Sequence, residues 1–261
     1  MSQIESVFSQ GHKALIAYVT CGFPTVEATL EVVPCLTACG CDLIELGIPF
    51  SDPLADGATI QRASEQALRQ GVNPELCLRL AEELRRRVQT PLLFMSYYNP
   101  LLQFGLRDFC SRCVEAGVAG LIVPDLPPDE GKELEFLTRE YSLDLVYLLA
   151  PTSTEERIEL VTRRSQGFIY LVSLTGVTGP REVLPPELEE FVLRVRSKTT
   201  KPLCVGFGIS TPQQARRVAQ IADGVIVGSR FIQLIEEDPS LNRLRAVVRA
   251  LKVALQGEEI S

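Results

Sequence analysis

Eight short apolar segments, separated by helix-like patterns, constrain the fold of this chain more than any other feature of its sequence. Each segment is rich in β-branched or aromatic residues, as is typical of parallel strands buried on both faces. Eight strand–helix units in one run predict an α/β fold, a closed (β/α)8 TIM barrel. An open doubly wound sheet is the weaker alternative, because no GxGxxG motif follows the first strand. The predicted strands are Leu15–Val19, Asp42–Leu46, Leu92–Ser96, Gly120–Val123, Leu145–Leu149, Phe168–Val172, Leu203–Gly206 and Val225–Val227.

The chain of 261 residues has no composition break or low-complexity linker along its length. Because α/β barrels of this size commonly form one domain, we predict a single domain over residues 1–261. Two helical patterns, Ile4–Phe8 and Ile60–Arg69, do not fit a bare strand–helix alternation. They predict extra helices at the N-terminus and in the loop after the second strand.

Charge and hydropathy argue against nucleic-acid and membrane functions. The net charge is −7, and the only basic run, at residues 85–87, falls at the end of a helical pattern, where cations complement the helix dipole. No apolar run approaches the roughly 18–20 residues that span a bilayer. The N-terminus lacks the basic and apolar regions of a signal peptide. We therefore expect a cytoplasmic protein that binds neither nucleic acid nor membrane.

The eight cysteines raise the question of a metal site or disulfides. Cys110 and Cys113 form a CxxC pair, but there is no second such pair, and the one histidine, His12, lies far away in sequence. Several cysteines fall at helical spacing among apolar residues, which is typical of small buried side chains. We expect no metal site, no structural disulfide in a reducing compartment, and a structural or exposed role for His12.

The segment from Glu45 to Gly57 carries the strongest chemical signal. Glu45 ends an apolar strand, where a carboxylate is costly to bury unless it has a partner or a function. A second acid, Asp56, follows through a loop stiffened by Pro49 and Pro53. Two carboxylates at one strand mouth suit acid–base chemistry, and we expect apolar surroundings to raise the pKa of Glu45. A solvent-facing strand end is the alternative for Glu45 alone.

Other strand ends add polar and glycine-rich groups. Tyr170 shares alternation parity with Phe168 and Val172, so it faces the same mouth if that face is inward, although a core aromatic is the alternative. The following loop, residues 173–180, contains Gly176 and Gly179 and suggests a mobile lid, although a flexible connection is equally consistent.

Glycines at the ends of the seventh and eighth strands point to a bound phosphate. Gly206 ends the seventh strand and Gly208 follows it, and Gly228 with Ser229 follows the eighth. Loops after these two strands commonly bind phosphate in barrels, and a helix that begins at Ser229 would direct its N-terminus at the anion.

These motifs together resemble the tryptophan synthase α subunit family. The resemblance extends over essentially the whole chain and includes Phe94–Pro100, Val123–Asp125 and Gly206–Ile209 in addition to the Glu45–Gly57 segment, its most specific part. It implies a retro-aldol cleavage of indole-3-glycerol phosphate into indole and glyceraldehyde 3-phosphate.

The resemblance also implies roles for individual residues. Glu45 matches the general acid/base, and Asp56 matches the carboxylate that binds the indole N–H. Thr178 matches a lid residue that meets Asp56, and Tyr170 a tyrosine beside Glu45. The phosphate-binding positions are matched by Gly179, Gly208, Gly228 and Ser229, and the indole pocket by Tyr18, Met95, Leu148 and Phe207.

The resemblance further implies an α2β2 complex in which indole passes to a β subunit that carries PLP, and we expect no cofactor in this chain. Asp52, Pro53, Asn99 and Pro100, with the lid, match the contact region. A stand-alone lyase, another phosphate-binding isomerase or aldolase barrel, and a catalytically silent partner barrel remain alternatives. None of the eight predicted strands contains the lysine that a Schiff-base aldolase needs.

Overall fold

A computed structural model describes residues 1–9, 11–172, 186–206 and 208–257 of the chain, with only the backbone of Pro186. The strands are β1 (Ala14–Thr20), β2 (Leu43–Gly47), β3 (Leu92–Met95), β4 (Gly120–Ile122), β5 (Asp144–Val146), β6 (Leu148–Leu149), β7 (Ile169–Val172), β8 (Leu203–Gly206) and β9 (Gly224–Val227). The helices are α1 (Gln3–Phe8), α2 (Val26–Ala38), α3 (Ala58–Arg69), α4 (Pro74–Arg85), α5 (Tyr98–Phe104), α6 (Leu106–Glu115), α7 (Lys132–Glu140), α8 (Glu155–Arg164), α9 (Pro186–Arg196), α10 (Pro212–Ala219), α11 (Ser229–Glu237) and α12 (Asn242–Leu255).

The sheet is a nearly closed barrel of parallel strands, in the order β5-β4-β3-β2-β1-β9-β8-β7-β6. Its two terminal strands are consecutive in the chain and are separated only by Tyr147. The predicted strand Leu145–Leu149 is therefore present but divided. The Tyr147 N–H donates to the Ser165 hydroxyl at 3.0 Å instead of joining the ladder, so β5 pairs with β4 and β6 pairs with β7. The predicted TIM barrel is confirmed.

Two buried apolar clusters hold the barrel together. One fills its interior and includes Ile16, Leu43, Leu93 and Phe168, and the other lies between the strands and the surrounding helices. Each large apolar side chain that folding buries fully stabilises the fold by about 1.5–3 kcal/mol. The predicted N-terminal helix is α1, and its Ile4 is fully buried in the interior cluster.

Two short helices, α5 and α11, begin shortly after strand ends. Helix α5 was not part of the sequence prediction, because its residues include Asn99 and Pro100 and its cap comes from elsewhere: the Tyr98 N–H donates to the Asp125 carboxylate at 2.9 Å. Helix α11 begins at Ser229, as predicted.

The cysteines and His12 have structural surroundings. All eight thiols are buried, and helical spacing predicted this for Cys35, Cys39, Cys110 and Cys113. The His12 Nε2 atom lies 3.0 Å from the Asp42 carboxylate near the start of β2, which agrees with a structural role. Among the described residues, no group of three or more histidine, cysteine or acidic side chains is placed to hold a metal ion. Within the same ranges, no helix is long and apolar enough to cross a bilayer.

Candidate active site

Glu45 projects into the barrel from the carboxyl end of β2. Leu43 belongs to the interior cluster, and Glu45 lies two residues further along the same face of the strand. Its side chain is fully buried, and neither carboxylate oxygen has a hydrogen-bond partner among the residues that the structure describes. Burial raises the pKa of Glu45 from 4.5 to about 8. The protonated form therefore predominates at neutral pH, and this carboxyl can donate a proton.

Asp56 lies in the loop between β2 and α3, at the same end of the barrel. Burial raises the pKa of Asp56 from 3.8 to about 6, and a hydrogen bond from Tyr97 opposes that rise. The loop is held from both sides: the Asp56 N–H donates to the Pro53 carbonyl at 3.1 Å, and the Gln61 side chain donates to the Asp56 carbonyl at 2.8 Å. At neutral pH this carboxyl is mostly ionised, in contrast to Glu45.

Two tyrosines lie beside these acids. Burial raises the pKa of Tyr170 well above 10, and the charges of Glu45 and Asp56 raise it further. The pKa of Tyr18 is raised by burial and then by Asp56, with a smaller contribution from Glu45. Because the charges of both carboxylates affect the pKa of each phenol, all four side chains lie close together at one mouth of the barrel.

Glycines at two strand ends make room for the tyrosine rings. A Cβ atom built on Gly206 would lie 2.6 Å from the Tyr170 ring, and one built on Gly47 would overlap the Tyr18 hydroxyl. The Tyr18 hydroxyl also lies 3.3 Å from the Thr20 hydroxyl within the buried region. Larger residues at either glycine would displace a ring from the mouth.

Three of the four residues predicted to line an apolar pocket, Tyr18, Met95 and Leu148, lie on barrel strands. Met95 and Leu148 are partly buried and pack against the interior cluster. Tyr18 is paired in register with Glu45, so its side chain leaves the sheet on the same face. Phe207 lies outside the described residues.

Three of the four predicted phosphate positions, Gly208, Gly228 and Ser229, follow β8 and β9. Gly228 is the N-cap of α11, and Ser229 is its first residue. The N–H groups of Ser229 and Arg230 precede the first hydrogen bond of the helix, which the Phe231 N–H donates to the Gly228 carbonyl at 2.8 Å. A Cβ atom on Gly228 would lie 3.4 Å from Tyr18, which places this helix end beside the mouth. Gly208 has φ +65°, a conformation that favours glycine. Thr178, Gly179 and the rest of the predicted lid lie outside the described residues.

The predicted contact region is exposed and partly apolar. Asp52 and Asn99 are exposed, and Pro53 and Pro100 are half-buried. Leu54, in the same loop, is 94% exposed, and Leu102 on α5 is 46% exposed.

Comparison with known proteins identifies the family. The sequence model of the family "Tryptophan synthase alpha chain" matches residues 4–259. This chain belongs to the tryptophan synthase alpha chain family. Membership makes it a catalytic subunit of a lyase of tryptophan biosynthesis, and the predicted resemblance is confirmed.

Individual relatives of the family cover almost all of the chain. The tryptophan synthase alpha chain of Dehalococcoides mccartyi is 55% identical over 98% of this chain and all of that protein. That of Chloroflexus aurantiacus is 47% identical over 98% of each chain. A tryptophan synthase structure from Mycobacterium tuberculosis has a TM-score of 0.92 at 39% identity, over 98% of each chain. The alpha chain of Legionella pneumophila has a TM-score of 0.91 at 34% identity, over the full length of both.

One residue of the mouth, Tyr97, was not assigned a role from the sequence. It lies within the Phe94–Pro100 motif, but a tyrosine between a strand and a helix gives no sign of its contact. That contact joins it to Ala55, 42 residues earlier, whose N–H donates to the Tyr97 hydroxyl at 2.8 Å.

Proposed function

We propose that this chain cleaves indole-3-glycerol phosphate into indole and D-glyceraldehyde 3-phosphate by a retro-aldol reaction. The observation that carries the proposal is the convergence of two carboxyls, Glu45 with a pKa of about 8 and Asp56 with a pKa of about 6, at one mouth of the barrel. At a pH between these two pKa values, Glu45 is protonated and Asp56 is ionised. The reaction needs both forms at once.

The proton balance of the reaction uses Glu45 twice. The Glu45 carboxyl gives its proton to indole C3, and the ring becomes an indolenine cation. The resulting carboxylate takes the proton of the glycerol C3′ hydroxyl while the C3–C3′ bond breaks. The electrons of the broken C3–C3′ bond restore the aromatic indole, and C3′ becomes the aldehyde carbon. Glu45 ends protonated, as it began, so the step requires no redox chemistry and the proposal assigns no cofactor to this chain.

Asp56 has a separate electrostatic function. Its carboxylate accepts a hydrogen bond from the indole N–H and stabilises the transient positive charge of the ring. Tyr170 lies beside Glu45 within the site, and Thr178 meets Asp56 when the lid closes. The substrate phosphate binds at the amide groups of Gly179, Gly208, Gly228 and Ser229. The indole ring occupies the space between Tyr18, Met95, Leu148 and Phe207.

The proposal includes a partner. Indole passes to a β subunit that carries PLP, within an α2β2 complex, and the contact is formed by Asp52, Pro53, Asn99, Pro100 and the lid. Leu54 and Leu102, which lie in the same two segments as these residues, are exposed large apolar side chains and support an interaction surface there.

The test is release of indole from purified substrate, with Glu45→Gln as the decisive variant. The amide cannot exchange a proton, so we expect turnover to be abolished while the far-ultraviolet circular dichroism stays that of the wild type. Glu130→Gln, which removes an exposed carboxylate in the loop before α7, is the matched control and should keep full activity. Near-normal activity of Glu45→Gln would overturn the proposed role.

One further variant and one addition experiment separate the parts of the proposal. Asp56→Ala should lose activity severely but less completely than Glu45→Gln, because the proton transfers remain possible. Addition of a β subunit should raise the rate greatly. Equal rates with and without that partner would favour a stand-alone lyase instead.

A further inference from the structure

Tyr97 follows strand β3 and connects it to the loop that carries Asp56. It is buried, with only 6% of its surface exposed. Its hydroxyl accepts the Ala55 N–H at 2.8 Å, which brings the phenol next to Asp56, and the phenol lowers the pKa of that carboxyl. The Tyr97 ring lies 5.2 Å from the Phe50 ring, which belongs to the same loop. Tyr97 therefore holds the loop between β2 and α3 at several points.

The direction of these hydrogen bonds follows from the number of protons available. A phenol has one O–H, and the Ala55 N–H can only be accepted by an oxygen lone pair. The phenolic proton is then free to point to the Asp56 carboxylate. Burial first, and then the charge of Asp56, raise the pKa of Tyr97, so the phenol keeps that proton at neutral pH.

We infer that Tyr97 is a positioning residue for the proposed reaction, which holds Asp56 towards the indole N–H and favours its anionic form. The inference rests on the proposed function for what Asp56 does and on the observed contacts for how Tyr97 acts. Without this donor, the half-buried Asp56 carboxylate would lose a charge-assisted hydrogen bond, and its partial burial alone would determine its ionisation.

The expected consequence is a change in pH dependence and not only in rate. Loss of a hydrogen bond to a buried charge should raise the pKa of Asp56 by about one unit from its value of about 6. The fraction of Asp56 that is ionised would then fall about fivefold at pH 6 and by less than twofold at pH 7.5. The ratio of kcat/KM at pH 7.5 to that at pH 6 should therefore rise about fourfold relative to the wild type.

The test compares Tyr97→Phe with Tyr98→Phe. Tyr98 is the next residue, and its hydroxyl is not a partner of Asp56, so its variant controls for loss of a neighbouring phenol. The measurements are the pH profile of kcat/KM and the titration of the Asp56 carboxyl by 13C NMR with labelled aspartate, assigned with Asp56→Asn. The substrate phosphate also titrates near pH 6, but it does so equally in all variants.

Tyr97→Phe should move both the acid limb of the profile and the carboxyl midpoint upward, whereas Tyr98→Phe should move neither. An unchanged Asp56 midpoint in Tyr97→Phe, or an equal loss of kcat/KM at every pH, would overturn the inference. The carboxyl titration needs no turnover. If the wild type failed to cleave the substrate, the proposed function would fall while the effect of Tyr97 on Asp56 would still be measured.

Discussion

Replacing Glu45 by glutamine should stabilise the protein, relative to the wild type, as the pH rises. Burial raises the pKa of Glu45 from 4.5 to about 8. Between these values the unfolded chain loses the Glu45 proton while the folded protein keeps it. Because the folded state then binds more protons, the free energy of unfolding of the wild type falls as pH increases. Glutamine does not ionise and contributes no such dependence.

The magnitude follows from one proton. A difference of one bound proton changes the free energy of unfolding by about 1.4 kcal/mol per pH unit. The contribution of neutral Glu45 is fully present below pH 4.5 and is lost by about pH 8, which amounts to about 5 kcal/mol in total. Between pH 5.5 and pH 7.5, the difference in stability should move towards the variant by about 3 kcal/mol. Net stabilities of about 5–15 kcal/mol make this shift easy to measure.

Equilibrium urea unfolding at several pH values is the assay. Other titrating groups are common to both proteins, so their effects cancel in the difference. Ile44→Val is the control: it lies on the same strand, is fully buried, and should cost about 1 kcal/mol at every pH. A difference between Glu45→Gln and the wild type that stays constant from pH 5.5 to pH 7.5 would refute the reasoning.

Three further predictions follow from the same structure. The kcat/KM for indole formation should rise with pH through about 6, as Asp56 ionises, and fall through about 8, as Glu45 loses its proton; initial rates from pH 5 to pH 9 check this, and a flat profile contradicts it. Gly206→Ala should cost about 1–3 kcal/mol in urea unfolding and lower the turnover, because its Cβ would overlap the Tyr170 ring; wild-type stability and rate would show that the ring is not confined. Ser2→Ala should lower stability by about 1 kcal/mol, because the Ser2 hydroxyl takes part in the capping box of α1 and donates to Asp144 at 2.5 Å; an unchanged urea midpoint would indicate that α1 contributes nothing to the fold.

The barrel and the direction of Glu45 were predictable because they depend on local pattern. Short apolar runs reveal buried parallel strands, and strict alternation sends Glu45 to the same side as Leu43. The interruption at Tyr147 and the helix α5 were not predictable. The first depends on the Ser165 hydroxyl, 18 residues away, and the second on the Asp125 carboxylate, 27 residues away.

The site shows the same division between local and distant causes. An apolar strand end is sufficient to predict a raised pKa for Glu45. The loop sequence around Asp56, in contrast, does not reveal that burial and a hydrogen bond from Tyr97 act on that carboxyl in opposite directions. That balance requires a contact between the Asp56 loop and the end of β3, which only the folded chain brings together.

The most direct test of the account is the titration of the Glu45 carboxyl itself. In the wild-type protein with 13C-labelled glutamate, one carboxyl resonance should titrate with a midpoint near pH 8 and should be missing from Glu45→Gln. If every glutamate instead titrated near its ordinary value of 4.5, Glu45 would be ionised at neutral pH and could not begin the reaction as an acid.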